Sequence, residues 1–315
     1  MKYRLLGLTS INISEIGFGG WGIGGITKGA TSYGPTDDDE SIKALEEAYN
    51  QGINFFDTAG AYGKSEQLIG STFKNRRDKV VIATKVGFVE HVDPQDFSIK
   101  NLIKSLQRSL RNLQTDYVDL YQLHSPKINE INLVEIRDTL EELKKQGLIR
   151  AFGVSIKFPN DGSTILQYRS YDSIQVNLSM TDQRALDNGL ISEASNAKVG
   201  IIARTPLCFG FLTGTIKNTA FSHQDHRSLW PMDQLKLWLK ASELFSRLSR
   251  EHNCTLAQFA LRFCLDTPGV STVIPGMLTV NEVLNNISAS EIFPLDQAMV
   301  NKVRKIYQEN DQFFL

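Results

Sequence analysis

Three cysteines are all that 315 residues provide: Cys208, Cys254 and Cys264. They are odd in number, unevenly spaced and include no CxxC pair. That excludes a disulfide framework and a cysteine-based zinc site, and it predicts a reducing compartment. Excess charge is also lacking. The 34 basic and 35 acidic side chains leave a net −1, too little to make an electrostatic footprint for nucleic acid or an anionic membrane. No uncharged apolar run reaches the roughly 18 residues of a membrane-spanning helix. The start, Met1-Lys2-Tyr3-Arg4, has no apolar signal core. The expectation is therefore a cytoplasmic protein acting on a small molecule, with its oligomeric state open. There is no low-complexity linker and no break in composition, so residues 1–315 read as one domain. With 41% apolar residues, the chain has material for a large core without staples.

Short apolar runs recur at intervals along the chain. They are Ile16–Gly19, Ile53–Asp57, Val80–Lys85, Tyr117–His124, Ala151–Ser155, Ser173–Val176, Gly200–Arg204 and Val270–Ile274. Each is apolar on both faces, as in strands of a covered parallel sheet. Helical patterns lie between them. Ile99, Leu102, Ile103, Leu106, Leu110 and Leu113 mark one face of a helix. Leu133, Ile136, Leu140 and Leu143 mark another, with Gly147 as its C-terminal cap. Thr255 and Gln258 form a capping-box pattern ahead of Leu261 and Phe263. Eight such units predict a closed (β/α)8 TIM barrel. Residues 3–14, alternating around Gly7, read as an N-terminal β-hairpin that plugs its bottom. A long insertion before the eighth strand, roughly 213–252, carries an amphipathic helix from about Met232 to Arg250.

One motif misleads. Gly17-Phe-Gly19-Gly-Trp-Gly22 matches GxGxxG after a strand, the dinucleotide-binding fingerprint of an open sheet. That fingerprint needs a helix to begin at its last glycine, so that the helix N-terminus meets the pyrophosphate. Gly24, Gly25 and Gly29 prolong the loop instead, and the first helical pattern begins near Asp38. The glycines therefore read as a loop at the top of the first barrel strand.

Four polar residues stand where barrel chemistry is done. Asp57 ends the second strand, and Tyr62 follows it in Asp57-Thr-Ala-Gly-Ala-Tyr62-Gly-Lys-Ser65-Glu66. Lys85 ends the third strand and His124 the fourth. Active sites of these barrels lie at the C-terminal ends of the strands. A free tyrosine, with a pKa near about 10, parts with its proton reluctantly at neutral pH. A lysine beside it is expected to lower that pKa, an aspartate to hold the lysine, and a histidine to orient a carbonyl oxygen. The set suits proton donation to a C=O group as hydride arrives. It supplies no nucleophile for hydrolysis and no ligand cluster for a metal-dependent lyase.

These residues, with their surroundings, resemble the aldo-keto reductases over nearly the whole chain. The resemblance implies a barrel that binds a nicotinamide dinucleotide without a Rossmann fold, with Asp57, Tyr62, Lys85 and His124 as the catalytic tetrad. It places Ser155, in Gly153-Val-Ser155, and Gln175 at the nicotinamide amide. Gly20 and Trp21 join the cofactor site, and Arg204 stands where many members stack an aromatic ring. Thr205, Pro206, Leu207, Gly210, Leu212 and Gly214 resemble the loop that wraps the pyrophosphate. Ile274, Gly276, Thr279, Glu282 and Asn286 resemble the adenosine-end motif. Trp21, Phe88 and His124 are implied to face the substrate. Ile156 replaces the usual Asn after the fifth-strand Ser. Leu278 stands in place of a basic residue that often reads the 2′-phosphate, and Glu282 in place of a common Gln. The family favours NADPH; these two departures bring in NADH as the alternative.

The reaction class implied is reduction of an aldehyde, ketone or keto-sugar. The rival is a non-catalytic cofactor-binding sensor or regulatory subunit with the same barrel. His223-Gln-Asp-His226 reads as a solvated surface loop rather than a metal pair. The apolar tail Phe313-Phe314-Leu315 reads as a terminus that packs back on the barrel, shapes the pocket or frays.

Overall fold

The computed structural model describes residues 1–29, 32–89, 94–310 and 313. Two short strands open the chain, β1 (Tyr3–Leu5) and β2 (Asn12–Ser14), paired antiparallel with Tyr3 opposite Ser14. Eight parallel strands follow: β3 (Phe18–Gly19), β4 (Phe55–Asp57), β5 (Val81–Val86), β6 (Val118–His124), β7 (Ile149–Ser155), β8 (Ser173–Asn177), β9 (Gly200–Arg204) and β10 (Val270–Ile274). They neighbour one another in chain order. The two edges meet through parallel bridges, Ile16 with Val273 and Gly19 with Gly276. Gly17 N–H donates to the Val273 carbonyl at 2.8 Å and Gly19 N–H to that of Pro275 at 2.9 Å. The result is the expected (β/α)8 barrel, with every anticipated strand in place.

Side chains of period two divide each strand between the helix layer and the barrel interior. The interior cluster joins Phe55, Val81, Ala83, Leu120, Ala151, Ile202 and Ile274 to Leu6, Ile11 and Ile13 of the hairpin segment. The hairpin thus closes the barrel bottom with apolar side chains. Gly7 makes this seat possible. Its φ is +58°, and a Cβ there would come within 2.8 Å of three backbone atoms, Asp172 O, Gly200 N and Lys198 O. Glu15, fully buried, accepts from Arg4 at 2.7 Å and Ser290 at 2.6 Å, tying the plug to the C-terminal region.

The outer layer follows the helical patterns. Helix Ile99–Leu113 buries Leu102, Leu106 and Leu113, while Ile103 on the predicted stripe stands 38% exposed. Helix Leu133–Lys145 buries its full stripe, and Gly147 takes a φ of +75° just beyond it. The capping box at Thr255 and Gln258 is formed. The insertion holds helix Met232–Glu251. No α-helix starts at Gly22. A single 3-10 turn occupies Gly22–Gly24, and the first α-helix is Asp38–Asn50, capped by the Asp37 side chain. At the C-terminus, Phe313 is fully buried against the long helix. Its carbonyl accepts from Gln234 at 2.9 Å and Trp238 at 3.1 Å, and its ring packs on Phe245 rather than at the barrel mouth. Phe314 and Leu315 lie outside the described residues. Among the described residues, no helix is long and apolar enough to cross a membrane.

Candidate active site

The interior alternation that places Phe55, Ala83 and Leu120 in the apolar floor places Asp57, Lys85 and Gln122 two residues higher, above it. Lys85 is 2% exposed, and its ammonium bonds the Asp57 carboxylate Oδ1. It also donates to the Thr58 carbonyl at 2.9 Å and to Tyr62 Oη at 3.3 Å. The second carboxylate oxygen accepts from Gln175 Nε2 at 2.8 Å and from Gln122 Nε2 at 3.1 Å. Two charges out of water are tolerable only when each is paired and hydrogen-bonded, and here both are.

Tyr62 is held by its neighbours' backbones. Its loop packs against the loop after β3, where Gly24 and Gly63 lie back to back. A Cβ on Gly24 would sit 2.1 Å from Tyr62 O, and one on Gly63 would sit 2.2 Å from Gly24 O. The Ser65-Glu66 pair anchors the far end of the loop. Ser65 Oγ accepts from Thr58 at 2.8 Å, and the buried Glu66 carboxylate accepts from Thr84 at 2.7 Å and Asn112 at 2.9 Å. The His124 ring stands edge-on to Tyr62, with centroids 5.6 Å apart, and to Phe88 at 5.2 Å. Gln95 donates to the carbonyls of His124 at 2.7 Å and Ser125 at 3.0 Å, fixing the end of β6. Asp57, Tyr62, Lys85 and His124 thus converge as their positions on the strands implied.

The electrostatics correct one expectation. Burial is the largest influence on Tyr62 and raises its pKa; Lys85 pulls the other way, Asp57 adds to the rise, and the net shift is upward. Burial also acts on Lys85, downward, but Asp57 and Tyr62 outweigh it and hold the ammonium above its ordinary value. Tyr62 is therefore a fully protonated phenol at neutral pH. Lys85 moderates the effect of burial without reversing it.

A cleft of about 890 Å³ opens above these residues, within the roughly 300–1,000 Å³ typical of small-molecule sites. Trp21, Phe88 and His124 line it. Of the residues implied for a dinucleotide, Gln175, Arg204, Thr205, Pro206, Leu207 and Gly210 also line it, as do Ile274, Gly276 and Glu282. Gly20, Ser155, Leu212, Gly214, Thr279 and Asn286 do not line it. Gly20 lies against Asp57 O and Ser65, and Ser155 Oγ donates to Gln175 Oε1 at 3.1 Å. Leu212 and Asn286 are buried; Gly214 lies beside Leu256, and Thr279 caps helix Val280–Ile287. The wall fits a polar planar guest. Arg204 Nε and Trp21 Nε1 are buried without a hydrogen-bond partner, while Arg204 Nη2 donates to Ile156 O at 3.1 Å. Such orphaned donors at a cleft call for a ligand acceptor.

Gln175, implied to hold a nicotinamide amide, lines the cleft and donates its Nε2 to Asp57. One finding departs from the sequence reading. His226 does not sit in a solvated loop: His223 is exposed, but His226 is 8% exposed within an aromatic wall. Its ring meets Trp21 at 4.5 Å, Tyr33 at 4.9 Å and Phe209 at 5.3 Å, and Nδ1 lies 3.2 Å from Ser32 O. Burial lowers its pKa to about 4, leaving a neutral ring. Among the described residues no group of three metal-ligating side chains occurs. Tyr33, Phe209, Arg227 and Trp230 of the same wall, and Gln122 beneath it, were not singled out from sequence. Gln122 had a visible signal: a polar residue inside an apolar strand, two positions before His124 and so on the same face.

The molecule is a (β/α)8 barrel with a polar cleft at the C-terminal ends of its strands. The profile of the aldo/keto reductase family matches residues 15–308, and the chain belongs to that family. It is 31% identical to aldo-keto reductase YhdN of Bacillus subtilis (strain 168), over 96% of this chain and 93% of that protein. It is 29% identical to the NADH-specific methylglyoxal reductase of Escherichia coli (strain K12), over 93% and 94%. Among solved structures, aldo-keto reductase AKR11C1 from Bacillus halodurans in its holo form superposes with a TM-score of 0.79. The identity is 30%, over 97% of this chain and 96% of that one. The protein is thus an NAD(P)H-dependent aldo-keto reductase by family and fold.

Proposed function

We propose that this enzyme reduces the carbonyl of a small aldehyde, ketone or keto-sugar, with Tyr62 as proton donor and Lys85, Asp57 and His124 as its partners. The observation that carries the reading is the buried Lys85, bonded at once to Asp57 and Tyr62 on the floor of a cleft walled by His124. A bound reduced nicotinamide supplies the hydride. Trp21, Gln175 and Arg204 would hold its ring end, and the segment Thr205–Gly210 would hold its phosphates. His124 and Tyr62 both line the cleft, their rings edge-on, so a carbonyl oxygen placed between them would accept a hydrogen bond and then the phenol proton. The phenolate left behind stays within reach of the Lys85 ammonium, which stabilises it in a site with little water to do so. Lys85 in turn keeps its place through Asp57.

The choice of dinucleotide turns on the far end of the cleft. Family resemblance alone favours NADPH. Glu282 argues for NADH: its carboxylate accepts from the N–H groups of Leu278 at 2.6 Å and Thr279 at 3.3 Å. A 2′-phosphate brought there would meet a carboxylate on donors already used, and Leu278 offers no cation.

The test is turnover of the reduced cofactor, followed by its absorbance, with a panel of aldehydes and keto-sugars. Tyr62→Phe should lower kcat by about 10²–10⁴-fold, the usual worth of a general acid, with dinucleotide binding retained. A Tyr62→Phe enzyme that turns over at the wild-type rate refutes the assignment. Titration of Trp fluorescence with NADH and NADPH decides the preference.

A further inference from the structure

We infer that Gln122 is a positioning residue of the proton-donor site, holding Asp57 Oδ2 in place when Gln175 is drawn toward a ligand. The inference rests on the function proposed above but concerns a residue that the family resemblance did not supply.

The two amides on Asp57 Oδ2 differ in access. Both are buried, Gln175 at 1% and Gln122 at 0% exposure, but Gln175 lines the cleft and Gln122 does not. Gln122 sits beside Lys85 in the β5–β6 ladder, at the level between Leu120 of the apolar floor and His124 of the rim. A leucine would suit that level by packing alone. An amide without exposure costs a few kcal/mol unless bonded, and what Gln122 donates to is Asp57 at 3.1 Å. Its own carbonyl lies 3.4 Å from Gln175 Nε2. A ligand that takes the Gln175 Nε2 donor removes one hydrogen bond from Asp57, whereas one that bonds only its Oε1 leaves it in place. Gln122 cannot be recruited, so it preserves the carboxylate's orientation and spreads its charge.

The consequence reaches Tyr62 through two neighbours. Asp57 oriented by Gln122 presents Oδ1 to Lys85, and Lys85 faces the phenol. Without the Gln122 donor, the Asp57 charge is less compensated and bears harder on Tyr62. The phenol then binds its proton more tightly and gives it up less readily.

Gln122→Leu and Gln122→Met remove the donor while keeping the volume. Expected is a fall in kcat of about tenfold, the loss of one charge-assisted hydrogen bond. The KM for the carbonyl and the Kd for NADH should stay within about twofold. The phenol titration of Tyr62, read as the tyrosinate absorbance difference between each protein and its Tyr62→Phe counterpart, should move upward. Gln175→Leu should instead weaken NADH binding. If both Gln122 variants fold and the Tyr62 titration stays where it was, Gln122 is a packing residue and the inference fails, whatever happens to kcat. The phenol titration needs no turnover. A wild-type enzyme that reduces no carbonyl would therefore sink the proposed function and leave the role of Gln122 still measurable.

Discussion

Replacing Lys85 by Met tests whether the ion pair beneath Tyr62 is an energetic unit. The substitution keeps an unbranched side chain one heavy atom shorter and removes its charge. Asp57, 2% exposed, then lies buried without a cation. Breaking a buried pair in this way costs about 3–5 kcal/mol. The amides of Gln122 and Gln175 remain on Oδ2 and leave the carboxylate partly compensated, so the expected loss is near the lower bound, about 3 kcal/mol. Asp57→Asn leaves the ammonium facing the Thr58 carbonyl and Tyr62. The double variant Lys85→Met/Asp57→Asn buries no charge and should regain much of the loss, giving a coupling energy of about 2 kcal/mol in a double-mutant cycle. Urea unfolding of the four proteins at pH 7, followed by circular dichroism, provides the numbers. Additive single losses, or a Lys85→Met protein as stable as wild type, would refute the reasoning.

The remaining predictions concern acid stability and loop geometry. Folding lowers the His226 pKa from 6.5 to about 4, so below pH 6.5 the unfolded chain takes up a proton that the folded chain refuses. Stability should fall with pH through that window by about 3 kcal/mol, and His226→Gln should abolish this component; parallel stability–pH curves for the two proteins would contradict it. Gly24→Ala places a Cβ 2.1 Å from Tyr62 O and must push the Tyr62 loop outward. Displacement of a reacting group by about 1 Å costs roughly 100-fold in rate, so kcat should drop on that scale, and an unaffected kcat would show that the loops yield elsewhere.

Much of this architecture was legible in the chain because parallel barrel strands are buried on both faces. Val80–Lys85 then reads as a nearly continuous apolar run whose last residue stands out, while Tyr117–His124 is interrupted by Asp119 and Gln122 before it ends on His124. Asp57, Lys85 and His124 were visible for that reason. What was hidden depends on contacts across strands. The donation of Gln122 and Gln175 to one carboxylate needs the register of β4, β6 and β8, which no single run reveals. His226 was misread because residues 213–231 have no periodicity; only the fold brings them over Trp21 and Tyr33 and makes the imidazole part of a wall. The direction of the Tyr62 shift was missed because proximity to a lysine is readable from chemistry, whereas the depth of burial that outweighs it is not.

The hairpin beneath the barrel has a consequence for traffic. Leu6, Ile11 and Ile13 seal the lower end, so the shaft above Asp57 and Lys85 is a blind alley with its door at the rim. Whatever enters the cleft must therefore leave by the end through which it came.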